Sequence, residues 1–124
     1  MPNMLAELTD QLNEKIRDIE RGLEALGLGV TALVPLPGPW TARALEFGKR
    51  ESAWRLTVTF QDGSETPLLN ASRGIRCAAM SAIPAVLEAM QKQVANDIEQ
   101  VETALRLARA FLTQIGAGGV HGAP

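Results

Sequence analysis

Between Ile83 and Ile115 the apolar positions recur only in steps of three and four: Ile83, Leu87, Met90, Val94, Ile98, Val101, Leu105, Ala108, Leu112 and Ile115. That period predicts one long helix carrying a nearly continuous apolar stripe. A second stripe with the same period, Leu5, Leu8, Leu12, Ile16, Ile19, Leu23 and Leu26, predicts another helix from about Asn3 to Leu26. Its opposite face is charged, as expected of a helix lying on a core. Gly27 and Gly29 bracket the predicted stop, where a left-handed residue commonly ends a helix.

After Gly29 the period changes to two. Val30, Ala32 and Val34 share one face of a predicted strand. The run Pro35-Leu36-Pro37-Gly38-Pro39 ends it, because proline removes ladder donors. A second strand is predicted over Ala42 to Lys49, with a hairpin connection at Lys49-Arg50-Glu51-Ser52. Trp54 to Gln61 gives the clearest alternation: Trp54, Leu56, Val58 and Phe60 against Arg55, Thr57, Thr59 and Gln61. One face of this strand is expected to be buried and the other wet or at an interface. Asp62-Gly63 marks a turn, and Thr66 to Leu69 is short enough to be an edge strand or a loop.

Asn70 or Ser72 is placed to cap a short helix reaching about Met80, with Ile75 and Ala79 inward. Ser81 and Pro84 then read as the start of the long helix, with a small kink between the two pieces. The Gly-rich residues from Gly116 to Pro124 lack periodicity and are expected to be disordered. The resulting expectation is α+β: an N-terminal helix, a three- or four-stranded antiparallel meander, a short helix and a long C-terminal helix, forming a single domain over residues 1–115. The helices are expected to form a helical hairpin or to pack in a coiled-coil-like way.

At 1.5 Å per residue the first helix would span about 35 Å and the last about 50 Å. Part of the longer stripe therefore lacks an equal partner. Homodimerisation along Val94, Val101, Leu105 and Leu112 is the preferred solution. In the alternative, Ile83 to Gln93 covers the sheet while the remainder pairs with the first helix. In layout, helices around a small antiparallel sheet are similar to small acidic adaptor or secretion-chaperone proteins, which implies protein binding.

Composition sharpens the picture only modestly. The 124 residues suit one domain. Aromatics are only 4% and the formal net charge is −2, so neither a strongly basic nucleic-acid binder nor an acidic disordered chain is indicated. The charge is uneven: residues 28–80 are net basic, and both flanking segments are net acidic. Cys77 is the single cysteine, which rules out an intrachain disulfide and suits a reducing cytoplasm. The N-terminus lacks the pattern of a signal peptide, and no uninterrupted apolar run reaches the length of a membrane span.

Little chemistry is offered. One cysteine and one histidine, His121, do not supply a converging ligand set, so neither metal nor cofactor is expected. Gly116-Ala117-Gly118-Gly119 follows a helix and precedes none, unlike a phosphate loop. Arg73 and Arg76 stand three apart near a helix start, where cations are disfavoured unless an anion or partner answers them. Arg43 and Arg55 would extend the same surface from the sheet. Leu36 and Trp40 in the proline turn are candidates for docking into a partner. These observations favour a non-enzymatic protein-binding or assembly protein. Alternatives are a small nucleic-acid-associated protein using the four arginines, and an enzyme whose site forms between subunits.

Overall fold

The computed structural model describes residues 3–36, 38 and 42–122, with side chains through Gly116. Its elements are α1 (Met4–Ala25), β1 (Ala32–Pro35), β2 (Ala42–Arg50), β3 (Ala53–Phe60), β4 (Glu65–Pro67), a 3-10 turn (Leu68–Asn70) and α2 (Arg73–Gly122). The fold is α+β. The chain divides into two compact units, Met1–Lys92 and Gln93–Pro124, with α2 contributing residues to each.

In the first unit α1 begins where Asn3 Oδ1 accepts the Ala6 N–H at 3.1 Å, satisfying one of the donors a helix start leaves free. It ends at Leu26. Gly27 follows with φ of 65° and donates its N–H to the Glu24 carbonyl, the left-handed stop that a side chain would strain. Ile16 and Leu23 are buried, while Leu12 and Ile19 pack partly against the core. The N-terminal part of the stripe is not covered: Leu5 and Leu8 remain half exposed.

The sheet is a four-stranded antiparallel meander in the order β1-β2-β3-β4. Its register sets Ala32 beside Phe47, Val34 beside Leu45, Leu45 beside Val58 and Phe47 beside Leu56. These side chains form the apolar face. Trp54 stacks on Phe47 with ring centroids 5.5 Å apart, adding an aromatic contact along the same face. The opposite face is polar but not uniformly wet. Thr57 is buried there, flanked in register by Glu46 and Pro67.

Arg50 lies over that polar face and pairs with Glu46 and, at 3.3 Å, with Glu65. Gly48 makes this possible. A β-carbon at this position would stand 3.3 Å from Arg50 Nη1 and 3.3 Å from Thr31 Cγ2. The β2–β3 hairpin closes through only Glu51 and Ser52, since Arg50 pairs with Ala53. Both loop residues have positive φ, 50° and 76°. This is the backbone of a type I′ turn, which favours Asn-Gly and disfavours these two residues. The β3–β4 connection is held by Asp62, whose Oδ1 accepts from Ser64 N at 2.9 Å and Ser64 Oγ at 2.6 Å.

α2 differs from expectation in three respects. It starts at the predicted cap, with Ser72 Oγ accepting the Ile75 N–H at 3.3 Å, but it does not stop near Met80. It runs on through Pro84 as one element. Pro84 is exposed, and an interior proline costs least on the solvent side, where water can bond the carbonyl left without a partner. Ser81 caps nothing and instead donates to the Ala78 carbonyl at 2.8 Å. The inward face is Ile75, Ala79, Ala82, Val86 and Met90, one position out of phase with the predicted Ile83 and Leu87, which are half-buried. Finally, α2 continues to Gly122, past the predicted end at Ile115. No proline intervenes before Pro124, and extending an existing helix is far easier than starting one.

Replacing Glu51→Asn together with Ser52→Gly is expected to relieve the strained hairpin and raise stability by about 1 kcal/mol, near 4 °C in melting temperature. Thermal unfolding followed by circular dichroism measures this. A lowered midpoint would show that the two side chains hold the loop by other means.

Candidate functional site

The residues nominated from sequence do not gather in one place. Arg43 is exposed at the irregularity between Ala42 and Ala44, whereas Arg55 pairs with Gly48 further along the ladder. The register thus separates these two arginines by several residues of strand. Arg73 is exposed at the start of α2. Arg76 is half-buried and committed, with Nη1 bonded to Asn13 Oδ1 on α1, while its Nε is buried with no partner among the described residues. Leu36 is 5% exposed and sits in the chain's own core, its N–H donated to the Arg43 carbonyl, so it is not presented for docking. Trp40 lies outside the described residues.

Arg55 does join a group that sequence reasoning missed. It lines a hollow of about 390 Å³ with Arg17, Glu20, Arg21 and Glu24 of α1 and with Trp54 and Asn70. Arg17, Arg21 and Glu24 recur at helical spacing on α1, but their proximity to Arg55 depends on how α1 crosses β3. Glu20 fixes that crossing. Its carboxylate accepts the Leu56 N–H at 2.7 Å. The β3–β4 ladder ends at Thr57 and Pro67, so Leu56 has no strand acceptor beyond it and Glu20 supplies one. Burial pushes the Glu20 carboxyl above its ordinary value of 4.5, opposed by the Leu56 hydrogen bond and by the charges of Arg55 and Arg17. The hollow carries three cations against two anions, and Arg21 is already paired with Asp18. It is a nearly balanced surface rather than a strong anion trap.

The sheet's polar face forms a second hollow, about 360 Å³, lined by Arg50, Arg55, Thr57 and Glu65. Arg50 is shared between two carboxylates and is not free to answer an external charge. Among the described residues no group of three or more His, Cys, Asp or Glu could hold a metal ion. Cys77 is an exposed free thiol.

The other nominated group does share one surface. In the unit Gln93–Pro124, Ile98, Val101, Leu105, Leu112 and Ile115 are 45–64% exposed, and Val94 is half-buried. They follow one another in steps of three, four and seven along a single helix and therefore lie on one side of it. Leu107 and Phe111 add 66% and 60% exposed side chains beside this stripe. Contiguous exposed apolar surface of this kind is uncommon on a monomer.

Glu20→Gln keeps an acceptor for Leu56 while removing the half-buried charge. A carboxyl with a raised folded value stabilises fully below its unfolded value, and that contribution fades as pH rises through the folded value. The substitution should therefore match the parent near about pH 4 and exceed it near about pH 7. Glu20→Ala should cost about 1–3 kcal/mol at either pH by orphaning the Leu56 donor. Urea midpoints at both pH values check this; parallel pH profiles for Gln and Glu would contradict it. No family model, curated protein or solved structure matches this chain.

Proposed function

We propose that this protein is a non-enzymatic assembly or protein-binding factor, adaptor- or chaperone-like in its work, that self-associates through the apolar stripe of its C-terminal helix. The observation that supports this reading is the row Ile98, Val101, Leu105, Leu112 and Ile115, exposed along one side of α2. Burial of an apolar face supplies most of the stability of helices in proteins. A second copy carries the matching surface by construction. The exposed thiol of Cys77 is most durable in a reducing compartment, which agrees with a cytoplasmic setting. No helix among the described residues is long and apolar enough to cross a membrane.

Light scattering coupled to size exclusion at tens of micromolar is expected to return twice the monomer mass. Leu105→Asp should weaken association by roughly tenfold or more, equivalent to at least about 1.4 kcal/mol, because a charge enters the apolar seam. Circular dichroism should show the sheet-containing unit still folded. A strictly monomeric parent would remove the proposal, and unchanged association of the Asp variant would move the interface elsewhere.

A further inference from the structure

Taking self-association through this stripe as the starting point, the side-chain order along it selects how the second copy lies. From Val94 onward the apolar residues alternate steps of four and three: Val94, Ile98, Val101, Leu105, Ala108, Leu112 and Ile115. This is a strict heptad with Ile98, Leu105 and Leu112 at one core position and Val94, Val101, Ala108 and Ile115 at the other. The preceding step, from Met90 to Val94, breaks the phase. Met90 is 1% exposed in the core of the first unit, so the heptad begins where that core ends.

Residues flanking such a seam decide orientation. In a parallel, in-register pair, Asp97 of each chain faces Glu102 of the other, two like-charge contacts, and Arg109 faces Ala104. In an antiparallel pair centred between Arg106 and Leu107, Glu102 of each chain faces Arg109 of the other, two opposite-charge contacts. The core layers of that arrangement match in size as well. Ile98 meets Ile115, Val101 meets Leu112, and the two central layers each set Leu105 against Ala108. Phe111 beside the seam meets the small Ala104. In the parallel arrangement Ala108 would face Ala108, leaving a void, since interiors tolerate few gaps.

We propose that two copies of this chain pair antiparallel through residues 94–115, with Glu102 of each bonded to Arg109 of the other. The seam is short, and its flanking ion pairs are exposed, so the pairing is expected to be salt-sensitive.

The test uses the full chain carrying Cys77→Ser, with Val101→Cys alone, Leu112→Cys alone and both together. Antiparallel pairing sets the two Val101 positions about 16 Å apart along the axis, beyond disulfide reach. Neither single variant should then cross-link on mild oxidation. The double variant should cross-link, as should an equimolar mixture of the two singles. A charge variant reads the same geometry with the opposite sign for the two arrangements. Glu102→Lys should weaken an antiparallel dimer about fivefold at low salt, and adding Arg109→Glu should restore it. In a parallel dimer Glu102→Lys would instead relieve repulsion from Asp97 and tighten association.

Cross-linking of either single variant, or tightening by Glu102→Lys, in a protein that still dimerises would overturn the antiparallel arrangement and leave self-association standing. A parent that stays monomeric would overturn both. A mass above two chains would overturn the two-stranded seam.

Discussion

Covering one face of a four-stranded sheet is the constraint on which residues 3–92 depend. Leu45, Phe47, Leu56 and Val58 are almost fully buried, yet among the described residues no second sheet covers them. Helices supply the second layer, and the apolar side chains they present are few: Ile16 and Leu23 from α1, and Ile75, Ala79, Ala82, Val86 and Met90 from α2. Alanine at two of the α2 positions lets that helix lie close, since small side chains shorten the distance at which helices pack. The sheet then needs few aromatic residues to fill its core.

The same layering explains why polar interactions concentrate at edges. Where β4 ends, the open N–H of Leu56 is taken up by Glu20, which also fixes how α1 lies across β3. On the uncovered face, Arg50 reaches back along its own strand, over Gly48, to Glu46 and across to Glu65. This arrangement places a charged side chain along the solvent face and buries Thr57 beneath neighbouring side chains. Exposed ion pairs of this type contribute little energy individually, and their effect here is to order the surface.

Periodicity alone exposed the helix at the N-terminus, the three longer strands and the inward placement of Ile75 and Ala79. Each of those features repeats over several residues and therefore shows in a single sequence. The features that were hidden depend on one residue meeting another far away in the chain. The role of Glu20 requires knowing where β4 stops, and the commitment of Arg76 requires Asn13 to stand beside it. Leu36 looked available because its neighbours are prolines, although its side chain returns to the core. Pro84 looked like a helix start because the solvent exposure that makes an interior proline tolerable cannot be seen before the fold is known. The nominated arginines looked like one patch because sequence does not reveal that Arg43 and Arg55 occupy separate stretches of the ladder.

The bond between Asn13 and Arg76 joins residues 63 apart in the chain. Together with the shared core of Ile16, Leu23, Val86 and Met90, it ties α1 to the last stretch of the sheet-containing unit. On a translating ribosome, α1 therefore emerges with its apolar side uncovered and stays so at least until β3, which it crosses, has left the exit tunnel. During that interval the nascent chain presents an amphipathic segment to whatever chaperone waits outside. The order of synthesis thus sets an interval in which α1 is open to misassociation.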